Sequence, residues 1–159
     1  VEKYALYPQP VFSLFTTIWL YSVLVGRYVR VENKSPAMYV KLLGPTGCGK
    51  DSLLAYSKEV LSKLEKQWAR KIGSAAGLED ALFDNGGELI AIIDENRPLD
   101  NEQSIAISDT ESEIYTAENG KLYPRKLSSR SSSSKTEHEP IWCPFYPKLT
   151  ATTIDAQFD

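Results

Sequence analysis

Apolar positions first gather in residues 11–25, a run from Val11 to Val25 interrupted only by Ser13, Thr16, Thr17 and Ser22 and free of charge. Pro8 and Pro10 before it and Gly26-Arg27 after it read as helix punctuation. The run is shorter than the ~20 apolar residues a membrane span requires. Neither a basic lead-in nor a cleavage signal frames it, so the pattern predicts a buried core helix. Residues 37–43, Ala37-Met38-Tyr39-Val40-Lys41-Leu42-Leu43, read as a strand. In residues 51–67 the apolar positions Leu53, Leu54, Val60, Leu61 and Leu64 fall at helical spacing, with Lys and Glu opposite them.

A short strand-like stretch around residues 70–72 ends at Gly73, and residues 75–83 read as a second helix closed by the turn Asn85-Gly86-Gly87. Residues 88–93 are apolar almost throughout and end in Asp94-Glu95. A strand apolar on both faces belongs in the centre of a parallel sheet covered by helices. Residues 101–117 are weakly helical. Residues 119–139 form a polar tract containing Ser128-Ser129-Arg130-Ser131-Ser132-Ser133-Ser134. Such a composition buries too little apolar surface to order itself, so it predicts a mobile loop or hairpin. A last strand runs from about Cys143 to Thr150 and on into Thr152-Thr153.

The alternation of strands and helices predicts an α/β domain with a mostly parallel central sheet. Residues 1–36 form a helical lead-in and residues 37–159 the core. At 159 residues the chain has room for one domain. It begins at Val1 and stops at Phe158-Asp159 without a closing element, and so reads as a piece of a longer polypeptide.

Bulk composition narrows the function only a little. The formal net charge of −3 gives no global basic field that would advertise a nucleic-acid or membrane surface, although a local basic groove is compatible with it. Cys48 and Cys143 are too few for a disulfide framework, and Cys48 lies within a glycine-rich loop, which points to a reducing cytoplasm. His138 is the single histidine, set in a polar tract, and suggests no metal site.

The chemistry concentrates in Gly44-Pro45-Thr46-Gly47-Cys48-Gly49-Lys50, placed between the strand of residues 37–43 and the helix of residues 51–67. Glycines there let backbone N–H groups turn inward onto phosphate oxygens. The helix that follows adds its free N–H groups and the positive end of its dipole. Lys50 supplies a fixed charge for the β- and γ-phosphates. This is the setting of a P-loop that holds ATP or a close relative.

The residue after the lysine, where the motif calls for Ser or Thr as a Mg²⁺ ligand, is Asp51. Either Asp51 binds the ion, directly or through water, or Ser52 takes over. Asp94, at the end of the apolar strand, is the expected water-mediated Mg²⁺ partner, and Glu95 the general base for an attacking water. Thr150 or Thr152, on the last strand, is the candidate sensor of the γ-phosphate. Arg97, Arg125 and Arg130 are candidate arginine fingers.

The ordered set of elements resembles the helicase-like P-loop ATPase domains of phage, plasmid and mobile-element replication proteins, which often follow a primase-polymerase module. The resemblance covers roughly residues 8–158. It rests on Gly44 to Lys50, Asp94-Glu95 and the segment Gly77-Leu78-Glu79-Asp80-Ala81-Leu82. It implies a three-layer, RecA-like P-loop fold preceded by an apolar helix, with Lys50, Asp94 and Glu95 as nucleotide and catalytic residues. It further implies Mg²⁺-dependent ATP hydrolysis coupled to movement on DNA, in a protein that is a homo-oligomer at full length and not membrane-bound. Lys121, Arg125, Lys126, Arg130 and Lys135, with Tyr123 for base stacking, mark the polar tract as a candidate strand-tracking loop. A small-molecule P-loop kinase and a degenerate P-loop scaffold are the competing readings, the second with Asp51 as the damage.

Overall fold

The structure, a computed structural model, describes residues 9–30, 32, 36–94, 101–117, 120–124 and 139–153. The first helix, α1 (Pro10–Val25), starts with Pro10 in its first turn, where the missing N–H costs nothing. It closes on Gly26, whose φ of +52° suits a residue without a Cβ and whose N–H reaches the Ser22 carbonyl. β1 (Tyr39–Leu43) follows, then the glycine-rich loop and α2 (Lys50–Lys63). α3 (Ala75–Asp84) begins where Ser74 Oγ accepts the Gly77 N–H at 3.0 Å. β2 (Ala91–Ile93) and α4 (Asn101–Tyr115) come next. β3 (Lys121–Leu122), β4 (Ile141–Trp142) and β5 (Lys148–Thr152) complete the order.

β1, β5 and β2 form a three-stranded parallel sheet in that order, so the last strand lies in the middle. Residues alternate in direction along each strand and sort into two cores. Val40, Leu42, Leu149, Ala151 and Ile92 pack with Trp19, Leu20 and Val23 of α1 and with Leu53, Leu54 and Leu61 of α2. On the other face Ala91 and Ile93 meet Leu78 and Leu82 of α3, Ile114 of α4, and Ile141 and Tyr146. The protein is therefore an α/β fold, a three-stranded parallel sheet flanked by helices. Each fully buried large side chain, such as Trp19 or Leu149 at 0% exposure, contributes about 1.5–3 kcal/mol.

Four expectations change in detail. The core helix foreseen at residues 11–25 turns only one face inward and leaves Val11, Leu14 and Tyr21 exposed. The strand foreseen at residues 70–72 reduces to one parallel bridge, at Ala69, whose N–H donates to the Ile90 carbonyl at 2.8 Å. Exposed Arg70 and Lys71 then carry the chain away toward the α3 cap. The apolar stretch 88–93 pairs along its length, but only residues 91–93 are regular strand. Before them Leu89 donates to Phe145 O at 3.0 Å and Phe145 to Gly87 O at 2.8 Å. The last strand starts at Lys148, not near Cys143, because Pro144 and Pro147 have no N–H to give a ladder and Cys143 sits at a φ of +48°.

The ends of the polar tract pair antiparallel as β3 and β4, with Lys121 Nζ 4.2 Å from the centroid of the Trp142 ring. Residues 125–138, with Arg125, Lys126, Arg130 and Lys135, lie outside the described residues, as does Arg97. Among the described residues, no helix is long and apolar enough to cross a membrane.

Candidate functional site

Parallel pairing brings the carboxyl ends of all three strands to one edge, and the glycine-rich loop leaves β1 there. Leu43 is level with Thr152, and the Gly44 N–H donates to the Thr152 carbonyl at 3.4 Å, so the root of the loop is tied to the middle strand. Within the loop the Cys48 N–H returns to the Pro45 carbonyl at 3.4 Å. Gly47 and Gly49 hold φ values of +79° and +89°, which side chains rarely tolerate. Gly44 is favoured for a different reason. A Cβ there would stand 2.8 Å from Cys48 Sγ and 3.2 Å from the Phe12 ring.

Gly49 caps α2 in the left-handed conformation and provides no side-chain acceptor for the first turn. The leading N–H groups of a helix have no acceptor within the helix, so this end carries concentrated positive potential. Lys50, the first residue of α2, is 6% exposed, and its side chain folds back over the loop. The Nζ donates to the carbonyl of Gly44 and, at 2.8 Å, to that of Pro45, and it lies 3.7 Å from Cys48 Sγ. A buried ammonium needs such acceptors. Held this way, the charge sits at the centre of the loop. Thr46, Pro45 and Gly47 remain exposed around it. An anion entering the loop meets backbone N–H groups, a helix end and one lysine, the arrangement that suits phosphate.

The acidic residues sit further out. Asp51 occupies the first turn of α2 and is exposed, while Ser52 beside it is half-buried. Asp94 follows β2 directly and is exposed, and Glu95 lies outside the described residues. β5 lies between β1 and β2, so the strand that ends at Asp94 stands two strand spacings from β1, about 10 Å. Ile93 is level with Thr150, which puts Asp94 across β5 from the loop root. Thr150 and Thr152 are both buried, at 3% and 4% exposure. Thr152 is the one at the loop root. Thr150 is two residues further down the strand, between Lys41 and Ile93.

Phe12 is the contact that sequence reasoning passed over. It lies on the inward side of α1 and touches the loop at Gly44, a pairing of residues over 30 positions apart that no local pattern announces. Compared with known proteins, the chain matches no family model, no curated protein and no solved structure, so its reading rests on its own residues and geometry.

Proposed function

We infer that this chain is a RecA-like P-loop nucleotide-binding domain that binds ATP with Mg²⁺ and hydrolyses it, within a cytoplasmic, homo-oligomeric protein that moves along DNA during replication of a mobile element. The observation that carries the binding step is Lys50. Its ammonium is folded onto the carbonyls of Gly44 and Pro45 at the uncapped start of α2, inside a loop whose glycines adopt positive φ. The loop follows a parallel strand at the carboxyl edge of the sheet, where α/β folds bind their ligands.

The donor set fits a nucleotide triphosphate. Backbone N–H groups of residues 46–50 hold phosphate oxygens, and Lys50 exchanges carbonyls for the β- and γ-oxygens. Mg²⁺ neutralises charge between those phosphates when bound, and keeps several waters. Asp51 and Ser52, in the first turn of α2, and Asp94, at the end of β2, are the residues that would hold it, Asp94 through water. Glu95, next in sequence, is the residue assigned to polarise the attacking water. Thr152, at the loop root, takes the sensing role ahead of Thr150. Movement on DNA rests on the family resemblance and on the basic residues of the polar tract, of which Lys121 lies beside Trp142.

The test is titration of a fluorescent ATP analogue with Mg²⁺ against the parent chain and Lys50→Ala. Micromolar binding that weakens at least about 100-fold in the variant supports the site. Equal affinity in both, or no binding by the parent, removes it and leaves the scaffold reading. If binding holds, DNA-stimulated phosphate release that disappears in Glu95→Gln separates a motor from a small-molecule kinase.

A further inference from the structure

α1 is apolar on both sides. Its inward face sets Trp19, Leu20 and Val23 in the core beside Ser13, Thr16 and Ser22, and Ser13 Oγ, Thr16 Oγ1 and Trp19 Nε1 are buried with no hydrogen-bond partner among the described residues. Its outward face is apolar: Val11, Leu14, Phe15, Ile18, Tyr21 and Leu24 are 62, 58, 45, 39, 67 and 48% exposed. A helix that merely covers a core keeps its solvent face polar. Taken together, these six side chains expose on the order of 600 Å², the upper limit of what an unpartnered monomer surface tolerates.

The spacing identifies what covers the face. Val11, Leu14, Ile18, Tyr21 and Val25 alternate by three and four residues, which is the a/d seam of a coiled coil. Val11, Ile18 and Val25 hold the a positions, all β-branched, and Leu14 holds a d position. That combination favours two parallel strands. Tyr21 holds the other d position, where its ring adds area and its hydroxyl reaches the rim. No charged residue lies between Pro10 and Gly26, so two copies meet without repulsion.

We propose that the outward face of α1 is a self-association surface, pairing in parallel with α1 of a second copy of this chain about a twofold axis along the seam. Just over two heptads do not pair as free peptides, because helix formation itself is costly at that length. Here α1 is already fixed by Trp19, Leu20 and Val23 in the core, so that cost has been met by folding. Complete burial of these side chains on two copies removes at most about 1,200 Å² from water, at the lower bound of specific interfaces, so the pairing is weak and concentration-dependent. Phe12, one residue from the seam, touches the loop at Gly44, so the interface borders the nucleotide site without using its groups.

Sedimentation of the 159-residue chain tests the surface. The expected result is a dimer at about 100 µM that dissociates on dilution. Leu14→Lys with Ile18→Lys, both at exposed positions, should weaken it at least about 100-fold with unchanged circular dichroism. Lys50→Ala should still dimerise, which separates this inference from the nucleotide reading. Cysteine placed singly at Leu14 or Tyr21 should form disulfide-linked dimers under mild oxidant, because a parallel pair sets each residue against its own copy. A chain that stays monomeric at that concentration overturns the proposal. So does a dimer indifferent to the lysines, cross-linking at position 18 alone (the antiparallel signature), or a monomer that instead binds phosphatidylcholine vesicles through α1.

Discussion

At the amino end of the sheet Lys148 opens β5 by reaching Glu111 of α4 at 2.6 Å, and the Tyr146 hydroxyl donates to the same carboxylate oxygen at 3.2 Å. The Tyr39 hydroxyl donates to the Glu111 carbonyl at 3.2 Å, and its ring meets Tyr146 edge-on at 5.5 Å and Tyr115 at 5.7 Å. At the carboxyl end of the same strands the contacts among the described residues are mostly with backbone, and the buried charge there, Lys50, leans on carbonyls. Side chains that satisfy each other close a surface. Exposed backbone groups and a lysine held by carbonyls and Cys48 Sγ leave a surface less closed by side chains. The difference teaches how the two ends are held: α4 is clamped by side chains at the end far from the loop, while the loop end is held mainly through backbone groups.

The largest expected effect comes from removing the clamp. Glu111→Ala leaves the Lys148 ammonium, on a side chain only 16% exposed, without its carboxylate, and takes the acceptor from Tyr146. The pair is part-buried, so breaking one side costs about 2–3 kcal/mol, read from urea denaturation. Because the two ends share no partner, affinity for the ATP analogue should change by less than about twofold. A parallel loss of binding would mean that the clamp and the loop act as one unit, and the contrast drawn above would fail.

A smaller effect probes the open end. Gly47 holds a φ of +79° with nothing near a Cβ placed there, so any cost of Gly47→Ala is conformational. About 1–2 kcal/mol is expected from the left-handed strain, with weaker nucleotide binding. Gly73→Ala, in equally open space and without a positive φ, is the control. It should be neutral or stabilising by about 0.4–1 kcal/mol, since it restricts the unfolded chain. Calorimetric Tm values separate the two. If both behave alike, the loop is not held in the conformation its glycines suggest.

The loop end was legible in the sequence because its signals are local. Glycine positions, a lysine at the start of a helix and a preceding apolar strand lie within a dozen residues, and Gly49-Lys50 does open α2. The two sides of the sheet followed from periodicity, since Leu53, Leu54 and Leu61 face one core as spaced. The clamp was not legible. Tyr39, Glu111, Tyr146 and Lys148 come from four separate segments, and nothing near Glu111 distinguishes it from Glu113, which is exposed. Strand order was hidden for the same reason: that β5 enters between β1 and β2 is a property of the whole sheet. The exposed apolar face of α1 also escaped, because a run apolar on nearly every side hides which side turns inward.

The smallest expected effect refines the closed end through its phenols. Burial, then the charge of Glu111, raises both tyrosines above the ordinary value, Tyr146 further than Tyr39, and the hydrogen bond to Glu111 adds to the shift at Tyr146. A raised folded value means that the native state keeps a proton the unfolded chain has lost once the pH passes about 10. Stability from these groups is complete below that pH and falls as the pH rises above it. Tyr146→Phe removes one hydroxyl and its 3.2 Å hydrogen bond, so at neutral pH it costs about 0.5–1.5 kcal/mol. Above pH ~10 the variant should lose stability less steeply than the parent, because Tyr39 alone then carries the linkage. Unfolding free energies compared between pH 8 and ~11 decide the matter. Equal slopes would mean that Tyr146 ionises as readily in the folded protein as out of it, and that the end read as closed is open to solvent.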